Sequence, residues 1–252
     1  MMLLPFLGAS ASTRQKLNFN SDWLLHIGDM EKGEAVSVDD AAWYKVTLPR
    51  AWNDGEAYKV PCHDLSDTVV WYRKHFNVEE IQDKKYFVEF EGVRFGADFY
   101  LNGHHLGLSE NGVMASGYDL TPYIIKGENV LAVRADNSWT YRERATNSRY
   151  QWNDKNFNAN YGGIPKNVWL HVTGTVYQTL PLYSNLGTTG TYIYGSDFDI
   201  PAHKMQLNVE AEVKNDGKAP RTFNLHTELI DADGKTVAYM DGNMCQDRKS
   251  VV

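Results

Sequence analysis

The amino-acid sequence predicts an all-β protein: a jelly-roll or sandwich unit, followed by a second β-sandwich unit. Three observations carry that expectation. Apolar and polar residues alternate with a period of two along most of the chain, and helical periodicity is nearly absent. Turn signals at Asn53-Asp54-Gly55, Asn102-Gly103 and Lys126-Gly127-Glu128 divide the alternation into strand lengths. Aromatic residues make up 13% of the chain, with 7 Trp and 15 Tyr, a surplus that suits a β-rich core and also suits ring stacking on sugars.

Taken in order, Tyr86, Val88 and Phe90 share one face of a strand, while Phe87, Glu89 and Glu91 take the other. Asp98–Asn102 alternates into Asn102-Gly103, the pair of residues at positive φ that a tight hairpin requires. Ser109–Thr121 runs through glycines into a polar turn closed by Pro122. Val130–Asp136 is a further strand, with Leu131 and Val133 opposed to Arg134. A long connection, 137–163, separates it from a strand in which Val168, Leu170 and Val172 alternate with Trp169, His171 and Thr173. A second unit starts near Thr179. Met205, Leu207, Val209, Ala211 and Val213 predict a strand with one buried face. Asp216-Gly217 then turns to a partner strand carrying Phe223, Leu225, Thr227 and Leu229, and Asp233-Gly234 turns into Val237–Met240.

Hydrophobic residues at 42% and charged residues at 23% describe an ordinary globular chain. The net charge of −7 provides no basic stripe and argues against a nucleic-acid partner. Cys62 and Cys245 have no metal-ligand spacing and build no disulfide framework. Met1–Leu7 is apolar and Ala9-Ser10-Ala11 fits a signal-peptidase site, although no Lys or Arg precedes the run. The expectation is a clipped signal segment over 1–16 and export to a periplasm or the extracellular space. The run is too short to span a bilayer. At the other end, residues 247–252, Asp-Arg-Lys-Ser-Val-Val, read as a translated adapter, so that the natural sequence is expected to end near Gln246.

Four segments carry a family resemblance: WYRKHF at Trp71–Phe76, DFYLNGHHLGLSENGVMASGYDLTPYIIKGENVL at Asp98–Leu131, AVRADN directly after it, and NYGGIPKNVWL at Asn160–Leu170. In this order they resemble the N-terminal sugar-binding domain of glycoside hydrolase family 2, the group of β-galactosidases, β-glucuronidases and β-mannosidases. The resemblance covers about Leu17 to Thr175. It implies a galactose-binding-like jelly-roll β-sandwich over 17–177 and an incomplete immunoglobulin-like β-sandwich over 178–246. A whole domain of the second kind takes about 100 residues. The resemblance also implies a retaining exo-glycosidase whose acid/base and nucleophile are glutamates of a later (β/α)₈ barrel. Neither maps onto this chain, so no catalytic residue is assigned, and the missing barrel is an expected partner. Alternative readings are a free-standing carbohydrate-binding module or a β-sandwich adhesion or scaffold protein.

No nucleophile elbow, phosphate loop, dinucleotide fingerprint or zinc motif occurs, and neither a metal site nor a cofactor is expected. His104 and His105 read as exposed turn residues. The functional candidate is the connection 137–163, NSWTYRERATNSRYQWNDKNFNANYGG. A connection of that length is usually functional or disordered, and its aromatics argue against disorder. Six asparagines and three arginines add directional hydrogen bonds suited to sugar hydroxyls. The expected carbohydrate-binding residues are Asp136, Asn137, Trp139, Tyr141, Arg142, Trp152, Asn153, Asn160 and Tyr161, for a β-glycoside. Asp136 and Asn137 fall where the family lends an acidic contact to the substrate, and Asp67 lies before WYRKHF, where another family loop approaches it. Turn capping explains an Asp-Asn pair equally well. The match is loosest over 50–65.

Overall fold

The computed structural model describes residues 14–149, 159–181, 185–241, 245–246 and 249–251. It is nearly all β. The described residues include two short 3-10 helices, Asp54–Glu56 and Cys62–Asp64, the first of them where a simple turn at Asn53-Asp54-Gly55 was expected. Chain contacts divide the protein into one unit over 15–172, with 185–186, and another that takes up from Thr173.

The first unit is a sandwich of two sheets. One has four strands in the order Gln15–Asn18, Val168–Gly174, Lys84–Phe90 and Ser116–Asp119. The other has six, in the order Tyr44–Val46, Trp23–Ile27, Val69–Val78, Gly127–Asp136, Gly96–Leu101 and His104–Ser109. Ser116–Asp119 corrects the reading of that stretch as loop and turn: it pairs antiparallel with the strand carrying Phe87–Phe90. The Asn102-Gly103 hairpin forms as expected, with φ of +51° and +82°.

Alternation places the core. Tyr86, Val88 and Phe90 from one sheet meet Val70, Tyr72, Phe99, Leu101, Leu131 and Val133 from the other. Trp23 fills the centre and donates its indole N–H to the Phe19 carbonyl at 2.8 Å. Charged residues on the opposite faces are buried too. Glu89 faces His171 at 2.7 Å across the four-stranded sheet, and both are under a tenth exposed. On the six-stranded sheet the segment 28–43 lies over Trp71, Arg73 and Arg134. Asp29 accepts from the Trp71 indole and from Arg134, while Arg73 reaches Asp40 and the carbonyls of Gly33 and Ala35. Gly33 is required by contact: a Cβ there would lie 2.6 Å from the Trp71 ring.

The same cover yields a pH-dependent contact. His75 presents Nε2 to Asp40 and Nδ1 to Glu128, each at 2.9 Å, so both ring nitrogens must carry protons to make both bonds. Burial alone would lower its pKa, but the hydrogen bonds to Asp40 and Glu128 outweigh burial and raise it. A raised folded-state pKa stabilises below the unfolded value of about 6.5, and that contribution is lost as pH climbs through the folded value. His75→Gln is therefore expected to cost stability in mildly acid solution, with the gap to wild type closing as pH rises through and above neutrality. Urea unfolding at a series of pH values measures this, and a gap that widens with pH would refute it.

The second unit forms a sheet in the order Val176–Gln178, Lys204–Asn215 and Thr191–Asp199, with Lys249–Val251 also on the long strand. The partner of Lys204–Asn215 is thus the preceding hairpin arm rather than the stretch carrying Phe223 to Leu229, because the short turn at 200–203 closes the hairpin locally. Thr222–Phe223 instead pairs Cys245–Gln246, and His226–Ile230 pairs Thr236–Asp241. The expected buried face is realised at Ala211 and Val213, whereas Met205, Ile193, Phe198 and Tyr239 stay exposed. No helix among the described residues is long and apolar enough to cross a membrane.

Candidate functional site

The connection 137–163 leaves the six-stranded sheet at Asp136, where Val69 and Gly96 stand in register on either side. Two carboxylates hold its first turn. Asp136 Oδ1 accepts the Ser138 N–H and Asp67 Oδ2 accepts the Trp139 N–H, both at 2.9 Å. Each carboxylate keeps a second oxygen, and that of Asp136 lies 4.0 Å from Arg134 Nη1. Arg134 is held by Asp29, whose own pKa is lowered by the Arg134 hydrogen bond against the opposing effect of burial. Asp67 is exposed and Asp136 is partly so.

Behind this turn lies a knot of buried asparagines. Asn137 Oδ1 accepts from the Trp52 indole N–H and the Thr68 N–H, each at 3.1 Å, and Asn137 Nδ2 donates to the Asn160 carbonyl. Asn160 returns a side-chain bond to the Asn137 carbonyl. Asn53 donates to the carbonyls of Ser66 and Asn160, both at 2.8 Å, and accepts the Gly162 N–H. The two ends of the long connection are thus tied to each other and to the segments 52–53 and 66–68. Gly163 closes the return with φ of +91°, and a Cβ on it would come 2.2 Å from the Tyr72 hydroxyl, so no other residue fits.

A second clamp holds the near half of the connection. Tyr141 packs edge-on against Phe95 with ring centroids 5.7 Å apart, lies over Gly96, and donates its hydroxyl to Glu110 at 2.7 Å. Burial first, and then the Glu110 carboxylate, push the Tyr141 phenol well above its usual range. Glu110 also accepts the Arg144 N–H. The Arg144 guanidinium grips both oxygens of Asp98, which is buried and also faces His105 Nε2 at 3.0 Å. His104, its neighbour in the turn, stacks on Tyr123.

The residues named from sequence thus fall into several groups. Asp136 stands at the end of its strand, where the connection begins. Asn137, Asn160 and Trp139 are buried, and the two asparagine amides bond within the protein. Tyr141 is fixed on Glu110. Arg142 is exposed with one N–H on the Asn147 carbonyl, and Tyr161 is half-buried. Trp152 and Asn153 lie outside the described residues. Sequence reasoning missed Trp52, Asn53, Asp98, Glu110 and Arg144 as parts of this site. Asn53-Asp54-Gly55 signalled only a turn, and a charged residue alternating along a strand reads as solvent-facing.

The Asp98–Arg144 clamp sets an expectation. Arg144→Met removes the bidentate pair and leaves the buried carboxylate with His105 alone. We expect a loss of about 1–2 kcal/mol, less than for a wholly buried pair because Arg144 is half exposed. Trypsin should cleave after Arg142 and Arg149 several-fold faster, while the rest of the sandwich holds. Unchanged cleavage kinetics would show that the clamp does not order the loop.

Residues 55–170 match the family described as glycosyl hydrolase 2 galactose-binding domain-like. A β-glucuronidase of Formosa agariphila is 35% identical over 93% of this chain and 25% of its own length. A β-galactosidase of Bacteroides ovatus is 32% identical over 90% of this chain and 25% of its own length. The solved structure of a β-glucuronidase from glycoside hydrolase family 2 superposes with a TM-score of 0.83 at 32% identity, covering 96% of this chain and 26% of that one. The chain therefore spans about a quarter of the length of the curated relatives it matches.

Proposed function

Because this chain carries the galactose-binding-like domain of glycosyl hydrolase family 2, we propose that it is the non-catalytic N-terminal part of a retaining, β-galactosidase-like exo-glycosidase. The whole enzyme would release terminal β-linked sugars through a covalent glycosyl-enzyme intermediate, using two carboxyl groups of a barrel domain. This chain supplies architecture and one side of the sugar pocket. The observation that carries the reading is the convergence of Asp136 and Asp67 on the consecutive N–H groups of Ser138 and Trp139, at the mouth of a clamped, aromatic-rich loop. Ionised carboxylates held this way accept hydrogen bonds from sugar hydroxyls with their remaining lone pairs. Tyr161 and Arg142, at the far and near ends of the loop, add a ring face and a guanidinium. Export to a periplasm or beyond, where polysaccharide fragments are met, is part of the same proposal.

The genomic DNA downstream of the region that encodes this chain tests it. A reading frame that continues into a barrel of about 250 residues supports the enzyme. A natural stop there would make the chain a self-standing carbohydrate module instead.

A further inference from the structure

Asp136 ends its strand between two neighbours that cannot hold its carboxylate. Val69 and Gly96 stand opposite it in register, one with an apolar side chain and one with none. The Tyr141 ring lies over Gly96 but gives its hydroxyl to Glu110. One Asp136 oxygen accepts the Ser138 N–H, and the other faces Arg134 Nη1 at 4.0 Å, from two residues back on the same face of the strand. Arg134 is itself fixed. Its Nε and Nη2 donate to the two oxygens of Asp29, and the indole N–H of Trp71, its neighbour in register, donates to the same carboxylate at 3.1 Å. On the other side of Arg134, Asp98 is taken up by Arg144 and His105. A planar guanidinium pinned at two nitrogens has its third fixed in direction. Here that third nitrogen is the one that faces Asp136.

From this we infer that Arg134 is a positioning residue for Asp136 in the proposed sugar site, and that Asp29, on the segment 28–43, acts through it. The inference rests on the proposed glycoside reading. A carboxylate free to turn about its last bond offers a sugar hydroxyl a moving acceptor. With an N–H on one oxygen and a cation beyond the other, its plane is set before the ligand arrives, and less freedom is lost on binding. At 4.0 Å the guanidinium attracts the second oxygen without closing a hydrogen bond on it, so the lone pairs that a hydroxyl needs stay open. The segment 28–43, on the outer face of the six-stranded sheet, thereby has a part in ligand binding although it supplies no contact of its own.

The test is an NMR titration of the 252-residue chain with methyl β-galactoside and methyl β-glucuronide. Arg134→Gln should weaken whichever probe binds roughly three- to tenfold. Asp29→Asn, which keeps an acceptor for the Trp71 indole, should weaken it by a smaller factor. Arg134→Lys keeps the charge but loses the fork, so it should restore only part of the affinity. Asp136→Ala should weaken binding too, and in that background Arg134→Gln should change nothing further, because its effect passes through the carboxylate. With no sugar present, Arg134→Gln should shift the Ser138 amide resonance and speed its hydrogen exchange several-fold. The Trp139 amide, held by Asp67, should stay as it is. Wild-type affinity in Arg134→Gln, losses that add in the double variant, or a Ser138 amide that does not move would each overturn the positioning role. With Asp136→Ala still weakening the probe, the glycoside reading would stand. If neither probe shifts any resonance of the wild-type chain, the glycoside reading fails and takes this inference with it.

Discussion

Chromogenic β-galactoside and β-glucuronide substrates are expected to remain uncleaved by this 252-residue chain, purified free of host glycosidase. The reaction requires two carboxyl groups about 5 Å apart across the scissile bond, one to protonate the leaving oxygen and one to attack the anomeric carbon. Around the candidate site the described carboxylates are already engaged. Asp98 holds Arg144, Glu110 holds Tyr141 and the Arg144 N–H, and Asp29 holds Arg134. Asp67 and Asp136 cap successive backbone N–H groups, which suits them to hold a hydroxyl rather than to exchange bonds with carbon. Joined to the barrel that the proposed reading calls for, the chain should go from background to ordinary glycosidase rates, a gain of many orders of magnitude. Turnover by the chain itself that disappears on Asp136→Ala, with the fold retained, would place a catalytic site inside the sandwich and overturn this expectation.

The architecture was legible because strands write their period into the sequence. Tyr86, Val88 and Phe90 declare one face, Leu131 and Val133 another, and Asn102-Gly103 admits one kind of turn. Alternation does not say what covers the other face. Arg73, Asp98 and Glu89 are charged residues within strands, yet all three are buried, because chain distant in sequence supplies partners for them. Arg73 has the carbonyls of 33 and 35, Asp98 has Arg144, and Glu89 has His171. Ser116–Asp119 was hidden for a related reason: in Ser-Gly-Tyr-Asp only Tyr118 is a large core side chain, too little to write a period, and the strand pairs along the edge of Lys84–Phe90. For the candidate site, the sequence singled out the long connection and its acidic start, and the structure shows how that start is held. It could not rank the asparagines, because an amide that binds sugar and an amide that ties a loop present the same donors and acceptors.

That ambiguity makes Asn137→Ala the most informative substitution in the chain. The change deprives the Trp52 indole N–H and the Thr68 N–H of their shared acceptor and removes the donor to the Asn160 carbonyl. Two buried or half-buried donors left unpaired cost about 1–3 kcal/mol each, partly offset where water can enter. A net loss of about 3 kcal/mol is expected, or roughly 6–12 °C in Tm for a unit of this size. Arg142→Ala, on an exposed side chain in the same connection, should change stability by less than about 0.5 kcal/mol. A double-mutant cycle with Trp52→Phe isolates the central bond: removing the indole donor should be costly in the wild type and nearly free once Asn137 is Ala, with a coupling of about 1 kcal/mol. If instead Asn137→Ala unfolds within a degree or two of wild type and the cycle shows no coupling, the amide is not fastening the loop. It would then be free to turn toward a ligand, and Asn137 would stand beside Asp136 as a sugar contact rather than behind it as the support that holds the mouth in place.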